Sequence, residues 1–365
     1  MFTIEDHTHM SRALKLAERG VYTTAPNPRV GCVIVKEGTV VGEGFHYRAG
    51  EPHAEVHALQ AAKEHSVGAT VYVTLEPCSH YGRTPPCAEA LIKAQVGRVV
   101  CAMQDPNTLV SGRGIQMLRS AGIEVDVGLL EQDALDLNRA FIKTMRSGLP
   151  FVQLKLAGSL DGQTALKNGQ SQWITSSQAR QDVQAFRAQS GAILSTSKTV
   201  IEDNASLTVR WSELPASIQA IYPEKALRQP PRVILDRKQT LTPELRFFQS
   251  QSESIIIAPS NEHFAELDWS KQLELLPIFK TLSKAYSINH LWVEAGATLS
   301  RSLIREGLVD ELILYIAPKL MGNDGRGLLG DLGLTSLEQA IELDIKDVTM
   351  VGKDLRIIAN PISKE

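Results

Sequence analysis

The sequence predicts an α/β protein of two domains, and three observations carry that reading. The chain has 365 residues, more than one hydrophobic core usually spans. Its first third alternates short β-branched runs with apolar patterns of helical spacing, which argues a layered α/β domain. Arg146-Ser147-Gly148-Leu149-Pro150 then punctuates a long helical run and precedes a fresh strand pattern, so the expected domains are 1–147 and 148–365.

Composition narrows the function. Charges nearly cancel, to a formal −3, and aromatics make up 5%. Without a basic block nothing in this balance suggests nucleic acid as a partner, and it counts against a deaminase acting on free nucleosides or nucleic acid. No run approaches the ~20 apolar residues of a membrane span. Met1-Phe2-Thr3-Ile4-Glu5-Asp6 lacks the basic start and apolar core of a signal peptide. Cys32 and Cys101 lie in apolar runs and read as buried thiols, so a reducing, cytoplasmic setting is expected.

Taken in order, residues 8–19 show helical spacing of Met10, Ala13, Leu14 and Ala17. Thr24-Ala25-Pro26-Asn27-Pro28-Arg29 forms a rigid loop before the strand Val30-Gly31-Cys32-Val33-Ile34-Val35, and Gly38 turns that strand into a second one at 40–44. Pro52 opens a helix carrying Ala54, His57, Ala58, Ala61 and Ala62. Residues 70–75 read as a buried strand, and 88–92 as a helix. A strand at 99–103, a helix at 114–121 and a strand at 123–127 follow. Gly112-Arg113-Gly114 lacks the third glycine of a phosphate-binding turn and reads as an ordinary turn.

One constellation carries chemistry. His53-Ala54-Glu55 is followed by Pro77-Cys78 and then Pro86-Cys87, the order of a zinc deaminase signature. His53, Cys78 and Cys87 supply three ligands for one zinc per chain and leave a fourth position for water, as a catalytic site requires. Glu55, two residues past His53, is free to move protons. His57 reads as a packing or supporting histidine. Eight residues separate the two cysteines where the compact signature has two. That loop, with His80, Arg83 and Thr84, suits a substrate bearing phosphate and hydroxyls, or is a surface excursion.

The segments Pro26-Asn27-Pro28-x-Val30-Gly31, His53-Ala54-Glu55, Glu76-Pro77-Cys78-Ser79-His80, Gly82-Arg83-Thr84-Pro85-Pro86-Cys87 and Asp105-Pro106-Asn107 resemble the bifunctional deaminase–reductases of bacterial riboflavin biosynthesis. The long loop between the cysteines is that family's own pattern. The resemblance resumes at Gln172-Trp173-Ile174-Thr175-Ser176, Leu207-Thr208-Val209-Arg210, Val293-Glu294-Ala295-Gly296 and Ala317-Pro318-Lys319, and so covers nearly the whole chain. It implies a cytidine-deaminase-like α/β/α layered domain followed by a dihydrofolate-reductase-like α/β domain. It also implies zinc-dependent deamination of a phosphoribosylamino-pyrimidinone, then reduction of its ribose to a ribityl chain with NADPH. Asn27, His80, Arg83 and Thr84 would hold the first substrate. Lys155 would assist hydride transfer. Ala157, Trp173, Thr199, Asp203 and the run Gly296, Ala297, Thr298, Leu299, Ser300, Arg301 and Ser302 would hold NADPH. Ser171, Arg187, Leu207, Arg210 and Glu294 would hold the second substrate. A homo-oligomer is expected.

Without the family the second half says less. Lys155 and Glu294 are costly inside strands unless they face a polar site or a partner. Arg187 and Arg210 are candidate phosphate clamps or solvated surface. Gly296 opens a helix whose N–H groups suit a phosphate, although such turns are often only structural. Asp203-Asn204-Ala205 departs from the family's Asp-Asp-Pro, which leaves open a non-catalytic binding or oligomerisation module. Arg237 or Lys238 is placed to meet the cofactor's 2′-phosphate or solvent. Residues 211–230 read as an irregular loop, and 249–285 are weakly patterned.

Overall fold

In a computed structural model, residues 1–81, 85–107, 110–271 and 273–362 are described. The chain divides into two compact units, Met1–Gly148 and Leu149–Glu365.

The first unit is built on a five-stranded sheet of order β2-β1-β3-β4-β5, with β1 Gly31–Lys36, β2 Thr39–Phe45, β3 Thr70–Val73, β4 Arg98–Cys101 and β5 Glu124–Val127. β2, β1 and β3 pair antiparallel, whereas β3, β4 and β5 run parallel. Helix Ile4–Glu18 starts four residues earlier than the apolar spacing implies, because Thr3 and Asp6 form a reciprocal capping box. This helix packs on β1 so closely that a Cβ at Gly31 would overlap the Ala13 carbonyl. Helix Ala54–Ala62 approaches β2 in the same way, over Gly42. Gly42 pairs with Ile34, an odd number of residues from Gly31, so the two helices cover opposite faces of the sheet. The result is a layered α/β core whose apolar positions include Met10, Ile34, Val71, Leu91 and Val100.

The second unit holds an eight-stranded sheet of order β10-β9-β8-β11-β6-β12-β15-β14. Its strands are β6 Phe151–Ser159, β8 Ala192–Thr196, β9 Arg232–Leu235, β10 Ser254–Ile257, β11 His290–Glu294, β12 Glu311–Ala317, β14 Leu343–Val351 and β15 Asp354–Pro361, while β7 Gln163–Ala165 and β13 Arg326–Gly327 form a separate pair. The six strands from β10 to β12 are parallel, so their C-terminal ends share one edge. β15 and β14 close the other side as an antiparallel ribbon.

Two readings need correction. Residues 211–230 are not one irregular loop: they contain helix Ala216–Ile221 and two 3-10 turns, each started by a proline or by Arg210. The weakly patterned 249–285 stretch contains β10 and helix Leu275–Tyr286, whose Leu275, Ile278, Phe279 and Leu282 are buried at helical spacing.

Candidate active sites

In the first unit, three side chains separated by up to 34 residues converge. His53 caps helix Ala54–Ala62, Cys78 lies in the loop after β3, and Cys87 is the first residue of helix Cys87–Lys93. The Cys78 and Cys87 sulfurs stand 3.6 and 3.4 Å from His53 Nδ1, and all three ligand atoms lie within 4.8 Å of one another. A tetrahedral zinc with bonds of about 2.0–2.3 Å needs ligand separations of this size, so the donor set fits the metal. The Cys87 N–H also donates to the Cys78 sulfur at 3.2 Å. Hydrogen bonds from Cys87 and His53 hold the Cys78 thiol well below its ordinary range, which favours the thiolate a metal requires.

Glu55 projects from the first turn of the same helix into this cluster and is 3% exposed. Among the described residues its Oε2 has no hydrogen-bond partner. Burial, and then the charge of Cys78, push its carboxyl up to about 7. A carboxyl so placed both accepts and releases a proton near neutrality.

Asn27 reaches the site through a residue that the sequence reading did not single out. His46 is buried, and its Nδ1 lies 3.2 Å from the Pro52 carbonyl while its Nε2 lies 3.0 Å from Asn27 Nδ2. A carbonyl only accepts, so Nδ1 carries the proton and Nε2 receives the amide N–H. This fixes the Asn27 side chain with its carbonyl oxygen unclaimed by His46. The His46 ring also meets His53 edge-on, with centroids 5.3 Å apart. The only hint in the sequence is a histidine directly after a strand.

His80 is exposed beside the ligand loop, whereas Arg83 and Thr84 lie outside the described residues. Gly112-Arg113-Gly114 is a turn into helix Arg113–Ser120. The Gly112 and Gly114 N–H groups are taken by the carboxylate of Glu76, a second residue whose role the sequence reading left open.

The second unit gathers its candidate residues along the edge where the parallel strands end, the usual ligand side of such sheets. Lys155 of β6 pairs in register with Glu294 of β11. Glu294 is held in turn by a two-pronged contact from Arg187, at 2.5 and 2.9 Å, and by Trp292 Nε1 at 2.8 Å. Burial alone would raise the Glu294 carboxyl, but the Arg187 charge holds it well below the ordinary range. Lys155 is lowered, chiefly by burial. Among the described residues no hydrogen bond or ion pair within contact distance engages its ammonium.

Around this pair, Thr196 caps helix Ser197–Asp203, which carries Thr199 and Asp203. Gln172 Nε2 reaches Asp203 at 3.4 Å. Trp173 is exposed, with Arg180 stacked 4.4 Å from its ring centre, and Ser171 is exposed beside it. Ala157 lies two residues beyond Lys155 on β6. Gly296 caps helix Ala297–Arg305, so Ala297, Thr298, Leu299, Ser300, Arg301 and Ser302 form its first turns. Leu207 is buried in the left-handed region at φ 52°, a strained backbone of the kind found at ligand clamps. Arg187 is buried and also donates to the Thr208 carbonyl at 3.0 Å. Arg210 is exposed and is paired with Glu213 at 2.5 and 2.7 Å. Arg237 donates to the Ser270 carbonyl at 3.3 Å.

Comparison with known proteins agrees with this division. The family described as "Cytidine and deoxycytidylate deaminase zinc-binding region" matches residues 3–103, and that described as "RibD C-terminal domain" matches residues 150–357. The riboflavin biosynthesis protein RibD of Escherichia coli strain K12 is 52% identical over 364 residues, covering 96% of this chain and 98% of that protein. The solved structure of Acinetobacter baumannii RibD, form 2, superposes with a TM-score of 0.90 at 46% identity, covering 98% of this chain and 99% of the other. A diaminohydroxyphosphoribosylaminopyrimidine deaminase/5-amino-6-(5-phosphoribosylamino)uracil reductase from Thermotoga maritima gives a TM-score of 0.84 at 33% identity, with 98% and 99% covered. Zinc for the deaminase and NADPH for the reductase are the cofactors that these assignments bring. No helix among the described residues is long and apolar enough to cross a membrane. The chain belongs to the riboflavin biosynthesis protein RibD family, bifunctional enzymes that deaminate and reduce a phosphorylated pyrimidine.

Proposed function

We propose that residues 1–147 deaminate 2,5-diamino-6-(5-phosphoribosylamino)pyrimidin-4-one and that residues 148–365 reduce the ribosyl group of the product to ribityl. The observation that carries the first half is the juxtaposition of His53, Cys78 and Cys87 with a buried, proton-poised Glu55. His53, Cys78 and Cys87 hold the zinc. When bound, zinc supplies Lewis acidity that makes water nucleophilic at neutral pH.

Glu55 takes one proton from the attacking water and delivers it to the ring nitrogen beside the 2-amino carbon. A second transfer through the same carboxyl protonates the amino group, which leaves as ammonia while the carbon–oxygen bond becomes a carbonyl. Asn27, its amide oriented by His46, hydrogen-bonds the base. His80, Arg83 and Thr84 hold the ribose phosphate.

In the second half, NADPH supplies the hydride. Ala157, Trp173, Thr199, Asp203 and the turn from Gly296 to Ser302 bind it. Ser171, Arg187, Leu207, Arg210 and Glu294 hold the deaminated substrate. Lys155 would orient the opened sugar at its anomeric carbon, for which bound NADPH would supply the hydride and solvent the proton on the attached nitrogen. Glu294 and Arg187, already locked together, give Lys155 a fixed charged wall. Assay of ammonia release and of NADPH oxidation on the purified chain, with zinc counted, tests both halves. Absence of either activity in zinc-replete protein overturns that half.

We also infer a homo-oligomer acting on small molecules in the cytoplasm, without nucleic acid. Edge strand β14 exposes Ile345, Val348 and Met350 by 54–61%, a patch and an open edge that a second copy would cover. Sedimentation of the chain against an Ile345→Lys variant tests this, and an unchanged monomer in both overturns it.

A further inference from the structure

We propose that Glu76 is the positioning residue of the deaminase site, the internal anion around which the segment bearing Asp105, Pro106 and Asn107 is wrapped onto the metal-ligand loop. Glu76 is 5% exposed. Its Oε1 accepts from the backbone N–H groups of Gly114 at 2.9 Å and Ile115 at 3.3 Å, and its Oε2 from those of Gly112 at 2.9 Å and Asp105 at 3.1 Å. Among the described residues no cation pairs with it.

Four donors on two oxygens use the full accepting capacity of a carboxylate. A glutamine in its place brings one acceptor and two donors, so it would face some of those N–H groups with an N–H of its own. The site therefore demands the charge itself, not merely a polar side chain.

The connection to the metal ligands is short and stiff. Only Pro77 stands between Glu76 and Cys78, and its ring fixes φ. The Glu76 N–H donates to the Met103 carbonyl at 3.0 Å, tying the same residue to the chain that continues from β4. Gly114 packs so tightly that a Cβ there would overlap the Pro77 carbonyl oxygen. Downstream, Cys78 is held by the Ala88 N–H on its carbonyl and the Cys87 N–H on its sulfur, both at 3.2 Å. Cys78 is thus pinned from both sides, with Glu76 as the upstream pin. Asp105, gripped through its own N–H, accepts from the Asn107 N–H at 2.8 Å and so sets the turn that follows.

This inference rests on the reading of His53, Cys78 and Cys87 as the zinc site. The test uses full-length protein carrying Glu76→Gln, with zinc release followed into a colorimetric chelator. Release should be at least about tenfold faster than in the parent, and kcat/KM for deamination about 10–100-fold lower, the usual effect of losing a group that supports metal ligands. NADPH oxidation on separately prepared deaminated substrate should be unchanged, which shows that the second unit is intact, and a cooperative melting transition of the first unit verifies its folding. Gly114→Ala, whose Cβ would overlap the Pro77 carbonyl oxygen and crowd Glu76 Oε1 at 3.3 Å while keeping the carboxylate, should reproduce the faster release.

If Glu76→Gln keeps the parent's zinc release and deamination while only its melting temperature falls, Glu76 is a plain internal staple and the proposal fails. If Glu76→Gln does not fold, Gly114→Ala decides on the same readout, and unchanged release there overturns the proposal. A parent protein without zinc would instead overturn the metal assignment.

Discussion

The two units solve opposite problems with their charged residues. In the first, the carboxyl of Glu55 is buried with one oxygen unpartnered among the described residues, beside three converging ligand atoms. In the second, Arg187 and Glu294 consume one another's charge in a two-pronged pair, with Trp292 and the Thr208 carbonyl taking further valences, and Lys155 stands beside this closed frame. The contrast follows from who carries the chemistry. A hydrolytic deaminase must keep its own acid–base group uncommitted. A reductase receives its reactive atom with the cofactor and needs a rigid frame around it.

The comparison can be broken at several points, beginning with the largest effect. Cys87→Ala should strip zinc from the chain and abolish ammonia release while leaving NADPH oxidation intact. Full metal occupancy in that variant would remove the basis of the first site. Glu55→Gln should retain zinc yet slow deamination by at least ~100-fold, and near-normal ammonia release would show that the uncommitted carboxyl is not the proton carrier.

In the second unit, Arg187→Ala should cost stability first. It leaves Glu294, whose side chain is 14% exposed, as an unpaired buried charge, for about 3 kcal/mol. Chemical denaturation read from the second unit measures this, and a loss below ~1 kcal/mol would mean that the pair is not a frame. Lys155→Ala should mainly lower kcat for NADPH oxidation, because its contact matters as the hydride moves. An unchanged kcat would place the reacting carbon elsewhere. The smallest effect belongs to Arg210→Ala: its ion pair with Glu213 is exposed and worth under ~1 kcal/mol, so stability should hold while KM for the deaminated substrate rises. A collapse of kcat with unchanged KM would show that Arg210 acts in the reaction itself.

Much of the first site was legible because its signature is local. His53 and Glu55 share one helical turn, and each cysteine directly follows a proline. What escaped was work done across distance. Glu76 meets its four donors 29–39 residues later in the chain, and backbone N–H groups leave no trace in the sequence. His46 acts by its tautomer, which only the neighbouring Pro52 carbonyl fixes. The Arg187–Glu294 pair spans 107 residues. The resemblance offers each residue as a substrate contact, but it does not reveal their mutual bond. The early start of the first helix was readable in principle, since Thr3 and Asp6 stand at capping-box spacing. The apolar periodicity begins later because most of the buried positions, from Met10 on, lie beyond the first turn.

The buried carboxyl of Glu55 has a consequence for anyone who engineers this enzyme. A group held in the core with an unanswered oxygen costs the fold free energy, so a search for stabilising substitutions would favour an apolar or amide residue at position 55. Such a variant is expected to melt higher and keep its reductase half while its deamination slows by at least ~100-fold. Thermal stability is therefore a misleading guide to fitness in this chain, and selection for robustness has to be run with deamination as the readout.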